Sequence, residues 1–244
     1  MTSFKNEIGK QVLILDGAMG TMVQNLGLTD TAFGGPEFKM LTDLLVFSRP
    51  DDLEGIHLEY LQAGANLIET DTFGASPLRL KEFNFSKFDP SDLKAIPDQL
   101  DMKTCSLESL TLELNIEGCR IAKRAIKKYR AQPDYDGRPL FVAGSIGPSN
   151  YVVSSTEANL NKGTFGQIVE NFYHQVLGLV EGGADVLLIE TQQDILETKA
   201  IIAGANKAFA EKKKKLPMIV QATVDVFSKM QIFNTDIHAA YTAV

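Results

Sequence analysis

Acidic and hydroxyl side chains follow several apolar segments of this chain, at the points where those segments end. Asp16 follows the apolar run in "VLILDGAMGT", and "NLIET" and "DVLLIET" both end in Glu-Thr. In parallel α/β folds the carboxyl ends of the strands face the ligand crevice, so we expect these side chains to lie together. The full set comprises Asp16, Glu69, Thr70, Asp71, Thr72, Gly144, Ser145, Glu190, Thr191, Thr223 and Asp225.

The residue types in this set favour recognition of an amino acid. A single acid at a strand end is explained as the N-cap of the next helix, but several acids and glycines at successive strand ends are not. Asp16 and Glu190 would repel each other unless a cation such as an ammonium group lies between them. The glycines of "DGAMGT" leave main-chain N–H groups free, and such groups bind a carboxylate. The pattern therefore predicts an amino-acid pocket.

The elements that must position these residues read as an alternation of strands and helices. The joins "LQAGANLIET" and "VEGGADVLLIET" resemble each other, which indicates a repeated helix–strand unit and a parallel sheet covered by helices. The strands are almost continuously apolar, as strands buried on both faces are. We predict strands at 11–15, 66–70, 139–145, 185–191 and 216–224, and helices at 50–65, 114–131, 164–184, 194–209 and from 235 onward.

One segment interrupts the alternation, and the composition excludes several classes of protein. Residues 83–113 carry two prolines and show no regular spacing of apolar residues. This pattern predicts a surface insertion, and the alternative is a disordered loop.

The 244 residues suffice for one domain. A net charge of -7 argues against nucleic acid, and no stretch is apolar enough to span a membrane. Two cysteines and no apolar leader favour the cytoplasm.

Several motifs together resemble a known family. "ILDGAMGTMVQ", "PDDLEGIHLEYLQAGANLIETDTFGAS", "VAGSIGP" and "ADVLLIETQQD" occur in this order and look like the homocysteine-binding barrel of cobalamin-dependent methionine synthase, within the homocysteine S-methyltransferase family. The resemblance covers nearly the whole chain except the insertion. It implies an α/β fold of the (β/α)8 TIM-barrel type and methyl transfer to the thiol of homocysteine, giving methionine.

The resemblance also implies roles for particular residues. Asp16 and Glu190 match the acids expected to face the ammonium group of homocysteine. Thr72 and Ser145 would line the same opening, and the family's usual Asn-Thr-Phe is Asp71-Thr72-Phe73 here. The main-chain N–H groups offered to the homocysteine carboxylate would be those of Gly17, Ala18 and Met19.

The metal ligands that the resemblance implies do not appear in this sequence. The family holds a zinc ion, through cysteines at the ends of late barrel strands, that keeps the substrate thiol as a thiolate. Here Cys105 falls in the insertion, and Cys119 is expected on the inward face of a helix. About five strand–helix units are visible, against the eight of a closed barrel. We therefore expect residues 1–244 to be an incomplete barrel, inactive alone, whose zinc cysteines lie beyond Val244.

Two other readings remain open alongside this one. The chain could be a non-catalytic barrel that binds an amino acid or a partner, because it keeps the pocket acids without a metal site. It could also be an unrelated barrel enzyme such as an aldolase, but a Schiff-base enzyme needs a lysine at a strand end and none is found. In the methyltransferase reading, the folate and cobalamin modules would lie outside this chain, and the methyl donor stays undetermined.

Overall fold

A computed structural model describes residues 3–94, 96–97, 100–154, 163–231 and 233–244. Four strands in these ranges form one parallel sheet in the order β1-β2-β3-β4. Residues 95, 98 and 99 of the predicted insertion lie outside the described residues. The strands are β1 (Leu67–Glu69), β2 (Phe141–Ile146), β3 (Val186–Gln192) and β4 (Met218–Ala222).

Long helices connect consecutive strands, which gives the sequential winding of an α/β fold. The strand–helix alternation after residue 50 is confirmed, and the predicted helices at 50–65, 164–184 and 194–209 form close to their expected bounds. The helices are α1 (Phe4–Glu7), α2 (Met19–Asn25), α3 (Leu45–Ser48), α4 (Pro50–Gln62), α5 (Pro77–Leu80), α6 (Leu107–Arg130), α7 (Phe165–Gly182), α8 (Ile195–Lys212) and α9 (Ile237–Ala243). Short 3-10 helices cover Asp30–Phe33, Pro36–Phe38, Thr42–Leu44 and Phe85–Lys87.

The first predicted strand, at residues 11–15, is wrong in this form. The segment runs beside β1 and makes only isolated bridges in the described part of the chain, from Leu15 to Leu67 of β1 and from Gln11 to Ile8. Ile14 O accepts the N–H groups of Asn66 and Leu67, and Asp16 N donates to Leu67 O. Val12 is 86% exposed. Because none of the described residues pairs with the outer edge of this segment, it follows the sheet without completing a ladder.

Helix α6 begins earlier than the sequence pattern predicts, inside the region assigned to the insertion. Ser106 is its N-cap, with an Oγ that accepts the N–H of Ser109 at 3.1 Å. The described part of the preceding segment also contributes buried side chains, including Phe85, Phe88 and Met102. This segment shows no regular apolar spacing because it packs through single aromatic side chains. Phe38 lies against both Phe85 and Phe88.

The sheet has two different faces because successive side chains of a strand point to opposite sides. Ile68, Val142 and Leu187 belong to the cluster formed with the helices. Leu67, Phe141, Ala143, Val186 and Leu188 form a separate cluster with Phe4 on the other face. Within the described ranges, no helix combines the length and the apolar character needed to cross a bilayer.

The helix layer depends on close approach at glycines. A Cβ on Gly204 of α8 would lie 2.6 Å from Val169 O and 2.9 Å from Tyr173 N of α7. Such distances force backbone to move, because both neighbours are main-chain atoms. A Cβ on Gly55 of α4 would meet no atom within 4 Å.

Replacing these two glycines by alanine should therefore have opposite effects on stability. We expect Gly204→Ala to lower the free energy of unfolding by about 1–3 kcal/mol through overpacking. Gly55→Ala should raise it by about 0.5–1 kcal/mol, because alanine has the higher helix propensity. Urea unfolding of both variants measures the two changes. A Gly204→Ala protein as stable as the unaltered chain would contradict the packing described here.

Candidate active site

A cavity of about 410 Å³ opens at the carboxyl ends of the strands. Six of the seven residues predicted for the pocket line it, and they come from the loop before α2 and from the ends of β2 and β3. The lining residues are Asp16, Gly17, Ala18, Met19, Gly20, Thr42, Glu69, Thr70, Asp71, Phe73, Ser145 and Glu190.

Strand alternation explains why the polar side chains meet here. Leu67, Ala143 and Leu188 lie on the sheet face that packs against Phe4, opposite the layer of long helices. Two positions further along each strand, the same face presents Glu69, Ser145 and Glu190. The apolar cluster is therefore directly adjacent to the polar cavity, because the side chains change from apolar to polar within two residues along each strand.

An irregularity at the end of β3 lies at Glu190. Ile189 pairs with Val220 and Gln192 pairs with Ala222, so β3 carries one extra residue between these pairs. Thr191 takes a φ of 57°, which is unusual for a β-branched residue. Bulges next to functional sites re-aim side chains, and backbone strain collects at such sites. The bulge therefore sets the direction in which β3 ends at the cavity.

Three carboxyl groups crowd together in this cavity. The main-chain N–H of Glu69 donates to Asp16 Oδ2 at 2.9 Å, and Ser145 Oγ donates to Glu190 Oε1 at 2.5 Å. Burial and the nearby Glu190 charge raise the pKa of Asp16 to about 7, although the Glu69 N–H opposes this shift. Burial, the charges of Glu190 and Asp16, and a hydrogen bond with Glu190 raise the pKa of Glu69 to about 9. The cavity therefore resists holding three negative charges.

The glycine loop offers hydrogen-bond donors beside these acids. In the described part of the chain, no protein acceptor is bonded to the N–H groups of Gly17 and Ala18, and Met19 is the first residue of α2. Tyr60 donates its hydroxyl proton to Ala18 O at 3.3 Å. A Cβ on Gly17 would lie 3.1 Å from that hydroxyl oxygen. Glycine thus keeps this loop close to Tyr60.

The prediction that Thr72 lines the opening is wrong. Thr72 is fully buried, and its hydroxyl donates to Ser145 O at 3.0 Å. Thr70 Oγ1 lies 2.6 Å from the Thr72 hydroxyl and accepts the N–H of Ser145. Gln175 Nε2 donates to Thr72 O at 2.7 Å. The Thr72 side chain therefore bonds to Thr70 and Ser145 behind the cavity wall, and its main-chain carbonyl bonds to α7, so Thr72 does not face the cavity.

The structure also places at the cavity residues for which the sequence predicts no ligand role. Glu69 belongs to the predicted set of strand-end residues, and it occupies the same place in "LIET" that Glu190 occupies in the second copy. Thr42 and Phe73 carried no such signal, because contacts distant in sequence bring them to the cavity.

Asp71 forms a second acidic neighbourhood with Asp43. Asp71 is only 7% exposed, and its Oδ2 has no hydrogen-bond partner among the described residues. Burial and the nearby Asp43 charge hold the pKa of Asp71 well above its ordinary value. Burial also raises the pKa of Asp43 to about 6, despite the N–H of Gly74, which donates to Asp43 Oδ1 at 2.8 Å. Asp71 therefore destabilises the empty protein whenever it is ionised.

The described residues do not provide a zinc site. In those ranges no group of three or more His, Cys, Asp or Glu side chains is arranged to hold a metal ion. Cys119 is buried on α6, as expected, with Sγ 3.7 Å from Leu179 O. Burial raises the pKa of the Cys119 thiol to about 12, which opposes the thiolate form that zinc requires. The three histidines, His57, His174 and His238, lie on α4, α7 and α9 and not at the strand ends.

Comparison with protein families decides the class of this chain. A model of the family described as homocysteine S-methyltransferase matches residues 13–244, which is nearly the whole sequence. The chain belongs to this family. Its membership supports methyl transfer to homocysteine as the general reaction, and the cavity lined by Asp16 and Glu190 lies within the matched residues.

Solved structures of the homocysteine methyltransferase MmuM from Escherichia coli share the fold of this family member. The metallated form superposes with a TM-score of 0.66 at 21% identity, covering 96% of this chain and 70% of that chain. The oxidised form gives a TM-score of 0.64 at 21% identity with the same coverage. The apo form gives 0.57 at 22% identity, covering 96% and 68%. The four-stranded parallel sheet is therefore consistent with part of a TIM-barrel-like homocysteine methyltransferase fold.

Replacing Asp71 by asparagine should stabilise this family member at neutral pH. The folded-state pKa of Asp71 is raised, so its carboxyl group reduces stability as the pH rises above the unfolded value of about 3.9. Asparagine cannot ionise and brings two N–H donors. We expect Asp71→Asn to raise the free energy of unfolding by about 1–3 kcal/mol at pH 8.

The pH dependence of this gain is the decisive measurement. Urea unfolding between pH 4 and pH 8 should show a benefit that is small at the acidic end and grows with pH. The control is Asp134→Asn, since Asp134 is exposed. A gain that stays constant across this range would mean that ionisation of Asp71 does not cause the effect.

Proposed function

We propose that the cavity binds the amino-acid portion of homocysteine and that this chain supplies the substrate pocket of a methyltransferase producing methionine. The observation that carries the proposal is the meeting of Asp16 and Glu190 with the unbonded N–H groups of the glycine loop. Carboxylates complement an ammonium group, and converging N–H groups complement a carboxylate. One cavity thus offers both halves of an α-amino acid their matching partners.

Each residue has a specific part in this proposal. Asp16 and Glu190 accept hydrogen bonds from the substrate ammonium group. Ser145 orients Glu190 through the 2.5 Å hydrogen bond from its Oγ. Gly17, Ala18 and Met19 present main-chain N–H groups to the substrate carboxylate. The pocket thereby fixes both ends of the α-carbon and leaves the thiol side chain to extend from it.

We propose that the zinc ion of this reaction would be held by residues other than those described. Zinc would keep the substrate thiol as a thiolate, because a metal-bound thiol loses its proton. The donor set here does not fit that ion, since Cys119 is buried in the core and no three candidate ligands converge in the described ranges. By its motifs we place the chain with the methionine synthase type, in which cobalamin and folate are handled by other modules.

A non-catalytic amino-acid-binding role is the second candidate. The inaccessible thiol of Cys119 favours it, because the pocket acids are present without a metal-binding thiolate. Homocysteine binding is common to both candidates. Methyl transfer to the bound thiol, measured as methionine formed in the presence of zinc and the remaining modules, separates them.

Neutralising the pocket acids should weaken homocysteine binding. A hydrogen bond to a charged group contributes about 1.5–3 kcal/mol, so we expect Glu190→Gln to raise the Kd for homocysteine roughly ten- to a hundredfold. Asp16→Asn should act in the same direction. Isothermal titration at pH 8 measures the affinities of the two variants.

The matched control for these variants is Glu108→Gln, which removes a charge from an exposed position of α6. It should leave the Kd unchanged. If Glu190 only shaped the end of β3, Glu190→Gln would lower the melting temperature and keep the homocysteine affinity. That result would remove its proposed role toward the ammonium group.

Purified chain should retain no stoichiometric zinc. Structural and catalytic zinc sites draw on several converging thiolates or imidazoles, which the described residues do not provide. Metal analysis after equilibration with zinc and dialysis against a mild chelator tests this expectation. One tightly held zinc ion per chain would contradict it, and loss of that ion in Cys119→Ser would identify an unexpected ligand.

A further inference from the structure

A second cavity, of about 460 Å³, lies at the amino ends of the strands, away from the acidic pocket at their carboxyl ends. It separates the second half of α6 from the starts of β2 and β3. The proposed function gives this cavity no role. We call it the amino-end groove, and it is bounded by Lys123, Lys127 and Arg130 on α6 and by Leu140, Phe141 and Asp185 on the strand side.

The three cations of the amino-end groove form one stripe along α6. Lys123, Lys127 and Arg130 are spaced four and three residues apart, and side chains at these intervals lie on the same face of a helix. At a rise of 1.5 Å per residue the stripe is about 10 Å long. Three positive side chains therefore lie along one wall of a single cavity.

These cations are not paired with acids, whereas those of the neighbouring stripe are. Arg124 contacts Glu54 and Glu117 at 3.2 and 3.0 Å, and Lys128 contacts Glu54 at 3.3 Å. Among the described residues, no carboxylate forms an ion pair with Lys123, Lys127 or Arg130. Last-turn cations are favoured by the carbonyl groups at the end of a helix, but that effect does not distinguish two stripes of the same helix.

The position of the Lys123 ammonium group shows that the stripe is directed toward the strands. A Cβ on Gly183 would collide with Lys123 Nζ, so this nitrogen lies against the main chain at the join between α7 and β3. At the other end of the stripe, Arg130 Nη2 donates to Leu140 O at 3.3 Å. Both ends of the stripe therefore lie against the wall that the strands form.

The strand side of the groove adds little negative charge. Asp185 is the single carboxylate among the described lining residues, and its Oδ2 accepts the N–H of Val142 at 2.9 Å. The other lining side chains on this side are apolar and buried, including Leu140 and Phe141. An anion in the groove would therefore meet three cations and one carboxylate that is already hydrogen-bonded.

We propose that the amino-end groove binds a small ligand carrying a chain of two or three phosphate groups. Linked phosphates place several negative charges within the length of the stripe, so one ligand can contact all three cations. Lysine binds phosphate as a point charge, and arginine binds it through its planar fork. A long polyanion such as nucleic acid does not fit, because the chain as a whole carries a net charge of -7. This inference does not depend on the proposed function, since the groove and the acidic pocket lie at opposite ends of the strands.

Tripolyphosphate is the probe for this groove, and isothermal titration at low salt measures its affinity. We expect one site per chain, with an affinity that falls as salt is added. Lys123→Gln/Lys127→Gln should raise the Kd at least about tenfold, because two hydrogen bonds between charged groups are lost. Sulfate at the same ionic strength should bind at least about tenfold more weakly than tripolyphosphate, since one tetrahedral anion cannot span the stripe.

The matched control is Arg124→Gln/Lys128→Gln, which removes the same number of positive charges from the paired stripe of the same helix. It should change the Kd for tripolyphosphate by less than about twofold. Thermal melting of both double variants verifies that each is folded. Three results would overturn the proposal: no binding to the unaltered chain, equal weakening in the two double variants, or sulfate binding as tight as that of tripolyphosphate.

The place of binding is measured by amide chemical shifts during the same titration. Tripolyphosphate should shift the amides of residues 123–130, 140–142 and 185, and leave those of the glycine loop at 16–20 unchanged. Shifts concentrated at the glycine loop would assign the anion to the main-chain N–H groups of the acidic pocket and would overturn the assignment to the groove.

Discussion

Repulsion among carboxyl groups that the strands do not allow to separate is the constraint on which this site depends. Asp16 is bonded to the main chain of β1, and Glu190 is bonded to Ser145 at the end of β2. Glu69 ends β1 and lines the same cavity. Protonation of one acid or a bound cation relieves repulsion of this kind. Burial is the main cause of the raised pKa values of Asp16 and Glu69, and the charge of Glu190 adds to both shifts.

The wall behind the cavity is a buried hydrogen-bonded network. Thr70, Thr72 and Ser145 exchange hydrogen bonds across the ends of β1 and β2, and Gln175 connects them to α7 through its Nε2, while its Oε1 has no partner among the described residues. Such a network resists displacement, because a shift would leave further buried donors or acceptors without a partner. The bulge of β3 adds a strained Thr191 immediately after Glu190. The acids are therefore held by the least compliant part of the sheet.

The sequence predicts much of the fold because its strongest signals are local. Near-continuous apolar runs identify β1 to β4, because these strands are buried on two faces, and apolar residues at helical spacing identify α4, α7 and α8. The segment at 11–15 has the same apolar composition, but only one of its edges is paired. Composition does not distinguish this segment from a strand of the sheet, because the difference is whether another strand pairs with each of its edges.

The site was predictable to the extent that it follows strand ends. The strand-end pattern predicts Asp16, Ser145 and Glu190, which line the cavity, but it misplaces Thr72, whose exposure depends on the path of the chain after β1 has ended. Asp43 and Thr42 come from a 3-10 helix between other elements, and only tertiary contacts bring them near Asp71 and the cavity. A period of two predicts which face a strand residue occupies, but gives no information about a loop residue.

The energetic cost of burying carboxyl groups bears on why these acids lie together at the carboxyl ends of the strands. Each buried carboxyl group lowers the stability of the empty protein once it ionises, and Asp71 does so without a compensating donor among the described residues. The apolar cluster of Leu67, Ala143 and Leu188 lies immediately beneath and contains no group that could share the charge. A positively charged ligand group would relieve the repulsion among these acids, whereas an anionic group would add to it.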